Sequence, residues 1–281
     1  MYFDAHTHLN DDTLYPQRKT HLDTFIAQGW GGLICVGVDP VWNSRAIEIA
    51  ATHTTSCLVK AVVGLHPSEV ISGTLSTDVA IDSAIDDLRI LIGSHTDAVA
   101  AIGECGIDYH YPTSHDKRDL QAYLFERQCL LARELSLPIV IHSRDAFGDT
   151  YAILQRYTDL QIYFHCRSYE TPALENVLDT FPHLWIGRCG NITYPKAEPL
   201  RQTLTTFLHH TRRYDGSVGC LIETDAPWLT PVPRRWSTNT PAYITATYDQ
   251  VSLLSGLPLE KLQSRVAKDW KDLFLWIDFK K

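Results

Sequence analysis

The sequence predicts a (β/α)8 barrel, and three observations favour that fold. Eight short apolar segments with the character of buried strands are spread along the 281 residues. Segments with helical spacing lie between several of them, and the chain length is close to the roughly 250 residues typical of such barrels. An open doubly wound sheet is the alternative, but no G-x-G-x-x-G turn follows the first strand. We therefore expect a distorted (β/α)8 TIM barrel, with residues 1–281 forming a single domain.

The predicted strands are rich in β-branched and apolar residues, as expected for parallel strands that are covered on both faces. Residues 32–36 and 138–141 are nearly continuous apolar runs. In chain order, the eight predicted strands span 2–8, 31–38, 58–65, 99–107, 138–142, 161–165, 184–192 and 220–224.

The clearest predicted helix spans residues 116–135. Its apolar residues recur at steps of three and four opposite charged positions, and the pattern ends before Pro138. Helical periodicity is also present in 78–92, 172–180, 199–209, 241–254 and 259–274. Alternation of these segments with the strands is what favours a parallel barrel.

The composition is that of an ordinary globular chain, with 44% hydrophobic and 21% charged residues. No stretch approaches the about 18 apolar residues of a membrane span, and the first residues lack the pattern of a signal peptide. The seven cysteines are dispersed without a C-x-x-C motif. This usage indicates a reducing compartment, so we expect a cytoplasmic protein without a membrane partner.

Two histidines lie one residue apart in the first predicted strand. Side chains alternate along a strand, so His6 and His8 share one face. In a barrel the chemistry lies at the carboxyl ends of the strands, where other segments supply two carboxylates and two more imidazoles. The set of six is His6, His8, Glu104, His142, His165 and Asp225. Six ligands are enough for two divalent metals if one carboxylate bridges, and Glu104 is the natural bridge because it has two oxygens.

Two metal ions that share a bridging carboxylate suit hydrolysis. They lower the pKa of a bound water and polarise the bond under attack. Asp225 is a candidate to ligate one ion and also to manage the proton, which makes Asp225 and Glu104 the predicted catalytic residues.

Six sequence blocks carry these residues in a fixed order along the chain. They read D-A-H-T-H at 4–8, G-L-H-P at 64–67, I-G-E-C-G-I-D-Y at 102–109, P-I-V-I-H-S-R at 138–144, F-H-C at 164–166 and L-I-E-T-D-A-P at 221–227. Together they resemble the signature of the TatD-type metal-dependent hydrolases, within the amidohydrolase-like superfamily. The resemblance implies a two-metal barrel hydrolase, often a DNase of the exonuclease kind.

The resemblance also assigns roles to single residues. The implied ligands are His6, His8, Glu104 and Asp225 for one ion, and Glu104, His142 and His165 for the other. It implies that His66 contacts a substrate phosphate and that Asp108 and Glu223 support the ligands. Asp4 shares a face with His6 and His8, so we expect it to support the ligands as well.

The chain departs from the family pattern in two segments that bear on substrate choice. After His165 the family usually has C-F-S-G, whereas residues 166–169 read C-R-S-Y, and Tyr169 replaces a turn glycine. The family often has R-G-K-x-N-E-P where residues 235–241 read R-W-S-T-N-T-P. Arg144, Arg167 and Arg235 are the candidates for phosphate contacts. Trp228 and Trp236 flank the last loop, where they either stack on a base or pack at the rim.

Three functions stay open at this point. The first is a divalent-metal-dependent phosphodiesterase, a deoxyribonuclease of the 3′-5′ exonuclease kind that acts on DNA or a small phosphodiester through a two-metal-activated water. Four imidazoles favour Zn or Mn, and Mg is kept because the family's nucleases use it. The second is an amidohydrolase-like enzyme for a small amide, ester or lactone, which the net charge of −8 favours. The third is a metal-binding scaffold without turnover, which the intact ligand set disfavours. The sequence is compatible with a monomer.

Overall fold

The computed structural model describes residues 1–52, 58–166, 171–211 and 218–275, and it confirms the predicted barrel. Eight strands lie side by side in sequence order, and each pairs in parallel with the next. The strands are β1 Tyr2–Thr7, β2 Trp30–Val36, β3 Leu58–Val63, β4 Val99–Asp108, β5 Ile139–Arg144, β6 Ile162–Phe164, β7 Leu184–Arg188 and β8 Val218–Ile222. The parallel order places all carboxyl ends of the strands at one mouth of the barrel.

Ten α-helices surround the strands in the described residues. They are α1 Arg18–Ala27, α2 Pro40–Thr52, α3 Ser68–Ile71, α4 Asp78–Ser94, α5 Arg118–Leu135, α6 Phe147–Leu154, α7 Thr171–Thr180, α8 Glu198–Thr211, α9 Ile244–Ser255 and α10 Leu259–Phe274. Within these described ranges we find no helix that combines the length and the hydrophobicity of a transmembrane segment.

Several predicted boundaries need correction. The strand predicted over 184–192 ends at Arg188, because the chain then turns through a 3-10 segment, Gly190–Thr193. β5 instead continues past its predicted end to Arg144. Helix α5 starts two residues late, after the 3-10 turn Pro112–Lys117 that opens with proline. Helices α1, α2, α3 and α6 were not expected, whereas α10 has its predicted bounds.

The barrel closes between β1 and β8, and at the mouth this seam is closed by main-chain hydrogen bonds just beyond β8. The Asp225 amide donates to the His6 carbonyl over 2.8 Å, and the His8 amide donates to the Ala226 carbonyl over 2.8 Å. The residues predicted as metal ligands on β1 and after β8 are therefore held next to each other by the backbone itself.

At the other end of the seam, helices α9 and α10 cover the gap. The buried Trp270 ring packs 5.2 Å from the Phe3 ring, measured between centroids. The Tyr248 hydroxyl accepts from the Phe3 amide over 3.1 Å and donates to the Phe3 carbonyl over 3.0 Å. Asp269 accepts from the Cys220 amide over 2.8 Å. Apolar burial and satisfied polar groups thus stabilise the amino-terminal end of the seam.

Strands β4 and β5 approach each other closely at the mouth. Their register sets Gly106 opposite His142 and Asp108 opposite Arg144. Gly106 has φ +144°, and a Cβ there would lie 1.9 Å from the His142 carbonyl oxygen. Only glycine fits this close approach, which brings the Glu104 and His142 side chains together.

Candidate metal centre

The first ligand group lies where β1 ends and the chain leaves β8. We define it as His6 Nε2, His8 Nε2, Glu104 Oε2 and Asp225 Oδ1. The two imidazole nitrogens are 3.1 Å apart, and their distances to the two carboxylate oxygens are 3.4 to 3.8 Å. All four residues are buried. The structure thus brings together the four residues that the family resemblance assigned to one ion.

The donor set of this group fits a cation. His8 Nδ1 lies 2.8 Å from the Val36 carbonyl oxygen, which can only accept, so Nδ1 carries the proton of the neutral ring. His8 Nε2 then presents a lone pair to Glu104 Oε2 at 3.6 Å and to Asp225 Oδ1 at 3.5 Å. Three acceptors face one another in a buried space, and a divalent cation would satisfy all of them.

The second ligand group surrounds the other oxygen of the same carboxylate. We define it as Glu104 Oε1, His142 Nδ1 and His165 Nε2. Glu104 Oε1 lies 2.7 Å from His142 Nδ1 and 2.9 Å from His165 Nε2. His66 Nε2 lies 3.9 Å from the same oxygen. Glu104 therefore presents one oxygen to each group, which is the arrangement expected of a bridging ligand.

Both imidazoles of the second group have a carboxylate behind them. Asp108 Oδ2 lies 3.1 Å from His142 Nε2, and Glu223 Oε1 lies 3.7 Å from His165 Nδ1. A Cβ at Gly187 would lie 2.8 Å from Glu223 Oε2, so β7 needs glycine there to leave room for the carboxylate. These contacts agree with the supporting role predicted for Asp108 and Glu223.

Glu223 is itself held by several donors. The Tyr163 hydroxyl and the Cys166 amide both donate to its carboxylate, and the Cys189 thiol lies 2.7 Å from Oε1. Sequence reasoning missed Tyr163 and Cys189, because a tyrosine or cysteine inside an apolar strand segment gives no sign of a polar partner.

Protonation in the first group suits metal binding. Burial would raise the pKa of the Glu104 carboxyl, but the neighbouring His165 charge and hydrogen bonds from the histidines outweigh it and hold this pKa well below its usual range. Burial lowers the pKa of His6 to about 4. An ionised carboxylate and a neutral imidazole are the forms that bind a metal.

Asp4 supports the first group through the main chain rather than through an imidazole ring. It accepts from the Thr224 amide over 3.0 Å, from the Thr224 hydroxyl over 2.6 Å and from the His6 amide over 3.2 Å. Asp4 is fully buried, and burial raises its pKa to about 8. The side chain therefore ties β1 to the residue that precedes Asp225.

His66 presents a hydrogen-bond donor to the cleft. The Ser68 amide donates to His66 Nδ1 over 3.1 Å, so the proton of the neutral ring is on Nε2. Burial lowers the pKa of His66 to about 3, which keeps the ring neutral. A donor beside Glu104 suits the predicted contact with a substrate oxygen.

A cleft of about 960 Å³ opens over both ligand groups. Trp42 and Trp228 line it as a nearly parallel pair, with ring centroids 6.3 Å apart and an interplanar angle of 18°. Both rings lie against His8, with centroids 5.7 and 5.1 Å from the imidazole. Sequence reasoning missed Trp42. The Asp39-Pro40 pair was the available signal, because it marks a helix start and the Asp39 carboxylate accepts from the Trp42 amide over 2.7 Å.

The arginines predicted to contact substrate lie in different places. Arg144 lines the cleft at the exposed end of β5, with its guanidinium carbon 6.0 Å from the centroid of the Tyr111 ring. Arg235 lines a neighbouring cleft instead. Arg167 lies outside the described residues, as does Tyr169.

Comparisons with known proteins match the whole barrel. The sequence model of the family described as "TatD related DNase" matches residues 3–275. An uncharacterized metal-dependent hydrolase of Mycoplasma pneumoniae is 30% identical over 277 residues, which are 97% of this chain and 99% of that protein. A protein of Erwinia tasmaniensis named 3′-5′ ssDNA/RNA exonuclease TatD is 29% identical over 97% of this chain and 99% of its own length. The crystal structure of YJJV, a TatD homolog from Escherichia coli, has a TM-score of 0.83 at 22% identity, and the alignment covers 98% of each chain.

Proposed function

The chain belongs to the TatD related DNase family of metal-dependent hydrolases, and from this premise we propose that it is a phosphodiesterase that shortens single-stranded DNA from its 3′ end. The observation that carries the proposal is the position of Glu104, whose Oε2 faces His6 and His8 while its Oε1 faces His142 and His165. A relative named as a 3′-5′ exonuclease supports the direction of cleavage.

In this proposal the first ligand group would hold one divalent ion and the second group would hold another, and Glu104 would be a ligand in both groups. Zn or Mn suits the imidazole-rich set, and Mg is the remaining candidate. Two such ions supply a water of lowered pKa and offset the negative charge that develops on the phosphate oxygens.

The chain's own residues position and protonate the reactants. Burial would raise the pKa of the Asp225 carboxyl, but the nearby imidazoles of His165, His6 and His8 outweigh burial and lower it. Asp225 is therefore ionised at neutral pH and able to accept a proton from the attacking water. His66 donates from Nε2 to a phosphate oxygen, and Arg144 at the mouth of the cleft attracts the phosphate.

The test is digestion of 5′-end-labelled single-stranded and duplex DNA with Mg, Mn or Zn added. Wild type should give a metal-dependent ladder of shortened products, and Glu104→Gln should give none. Glu260→Gln on α10 is the matched control, because Glu260 is exposed and should keep full activity. Absence of shortening by wild type with measured metal occupancy would refute the proposal.

A second function is favoured by one observation, the net charge of −8, which is unusual for a protein that binds long polyanions. In that case the same ligand groups would hydrolyse a small ester, amide or lactone. Turnover of p-nitrophenyl acetate or a simple lactone, without any digestion of DNA, would establish this alternative.

A further inference from the structure

A second cleft of about 570 Å³ lies beside the metal-centre cleft. Two segments form it, the chain that follows β7 and the loop that follows β8. Asn191 and Leu229 line both clefts, so the second cleft is a continuation of the first. A substrate longer than the space over the ligand groups would extend in this direction.

The segment after β7 is held in place by hydrogen bonds. Arg201 donates from Nη1 to the Tyr194 carbonyl over 2.9 Å and from Nη2 to the Pro195 carbonyl over 3.2 Å. The Thr193 hydroxyl accepts from the Val232 amide over 2.9 Å, which ties this segment to the loop after β8. The two walls of the second cleft are therefore fixed relative to each other.

The loop after β8 is held in place by hydrogen bonds from the Asn239 side chain. The Asn239 side chain donates to the Thr224 carbonyl over 2.9 Å and to the Trp228 carbonyl over 2.6 Å. Thr224 precedes Asp225 of the first ligand group, so the loop has a fixed position relative to the metal centre. A preorganised surface binds a ligand without an ordering cost.

Cationic and aromatic side chains lie close together in and beside the second cleft. The Arg235 guanidinium carbon lies 4.2 Å from the centroid of the Tyr194 ring and 5.2 Å from that of Trp236. Lys196 lines the same cleft. Among the described residues, neither Arg235 nor Lys196 forms a salt bridge with a carboxylate. Their charge is thus available to a ligand, in contrast to the paired arginines Arg89 and Arg133.

Trp236 does not line the second cleft itself but lies next to Arg235, which does. Its side chain is 91% exposed, so it contributes little to the stability of the fold. It stands where the family pattern usually has glycine, and it lies against Arg235. An exposed indole beside unpaired cations is the arrangement that binds a single strand, through base stacking and phosphate contacts.

We infer that the second cleft is a subsite for the nucleotides that precede the scissile end of a single strand, with Arg235 and Lys196 binding backbone phosphate and Trp236 stacking on a base. This inference rests on the proposed phosphodiesterase function and deepens it. The stacking contact is independent of base identity, so the subsite selects for strand length and not for sequence.

The kinetic test compares a (dT)12 strand with bis(p-nitrophenyl) phosphate, which is too small to reach the second cleft. Trp236→Ala and Arg235→Ala should each lower kcat/KM for (dT)12 about tenfold relative to kcat/KM for the small diester. The loss should come from a higher KM for (dT)12. Arg235→Ala should also weaken the salt dependence of KM. The controls Leu253→Ala, with an exposed leucine on α9, and Lys268→Ala on α10 should keep the wild-type ratio. Equal loss on both substrates would overturn the inference.

Binding without turnover separates this inference from the proposed function. Anisotropy of fluorescein-labelled (dT)12 is measured in EDTA, where no hydrolysis occurs. Wild type should bind, and Trp236→Ala should raise Kd about tenfold. If wild type cleaves no phosphodiester but still binds (dT)12 about tenfold more tightly than Trp236→Ala does, the proposed function is refuted and the subsite is supported. One Kd shared by wild type, Trp236→Ala and Arg235→Ala would overturn the subsite.

Discussion

The two ends of the seam between β1 and β8 differ in how their buried polar groups find partners. At the amino-terminal end, the lower seam, Trp270 and Tyr248 cover Phe3 with apolar contacts and complete its main-chain hydrogen bonds. At the carboxyl end, the upper seam, the backbone is also hydrogen-bonded, but His8 and Asp225 direct acceptors at each other. The polar groups of the lower seam are satisfied by the chain alone, whereas the upper seam presents acceptors that a cation would satisfy.

The barrel therefore gains stability at the lower seam and loses some of it at the upper seam. Buried acceptors without a shared proton or cation destabilise a fold, and proteins tolerate them mainly at functional sites. Variants of the lower seam should therefore change stability alone. Variants of the upper seam should change stability and metal affinity together.

The largest effect is expected in the lower seam, from Trp270→Ala. Trp270 is fully buried, and removal of its ring should cost about 3–5 kcal/mol in free energy of unfolding. Trp236→Ala, which removes an exposed indole, should change stability by less than about 0.5 kcal/mol. Urea denaturation of both variants measures the difference, and similar midpoints would contradict the structure.

The next effect concerns the upper seam and the metal. Addition of Zn or Mn at about 100 times its Kd should stabilise wild type by about 2.7 kcal/mol, and EDTA should reverse the gain. His8→Ala should lose most of this increment, because it removes a ligand from the first group. His95→Ala is the matched control, since His95 is exposed on the surface. Equal metal-dependent stabilisation of the two variants would show that the ion binds elsewhere.

A matched pair of hydroxyl deletions compares the two ends directly. Thr224→Val removes a donor to Asp4 in the upper seam, and Tyr248→Phe removes the hydroxyl that bridges Phe3 in the lower seam. Each leaves a buried polar group without its partner, so each should cost about 1–3 kcal/mol. Only Thr224→Val should also weaken metal binding, measured by titration calorimetry. A loss of metal affinity in Tyr248→Phe would contradict the expected difference between the upper and the lower seam.

The smallest effect is a pH dependence in the lower seam. Burial raises the pKa of Asp269 above its ordinary value, despite the Cys220 amide and Arg265 that favour the charged form. Its contribution to stability is therefore complete below the unfolded pKa of about 3.9 and is lost as the pH rises through the folded value. Stability of wild type relative to Asp269→Asn should fall in urea titrations as the pH rises above the unfolded pKa of about 3.9. Parallel curves would contradict this shift.

Sequence alone predicted the barrel because its strands are apolar runs and because α5 and α10 have strong helical periodicity. Helix α1 was missed because it buries only Leu22 and Phe25. Helix α2 was missed because its buried face includes Asn43 and two alanines, and Asn43 is satisfied by the Gly64 main chain. Neither helix has the leucine-rich face that periodicity detects.

The candidate site was predictable to a similar degree. The convergence of His6, His8 and Glu104 followed from strand ends and from motifs, and the structure brings these residues together, while metal ligation itself stays a prediction. The position of Trp42 in the wall of the metal-centre cleft and the second cleft could not be predicted from the sequence. They depend on how loops after different strands meet, and loop geometry leaves no periodic pattern in the sequence.

Under the proposed function, Glu104 would also couple cation binding in the two ligand groups. A cation that orders the Glu104 carboxylate in one ligand group changes the cation affinity of the other group. The coupling free energy is the same in both directions. A substitution on β5 that moves the Glu104 carboxylate should therefore also change the cation affinity of the first ligand group, which includes residues of β1. Substitutions on opposite sides of Glu104 should consequently be non-additive, so that no single-site scan gives each ligand its own share of the affinity.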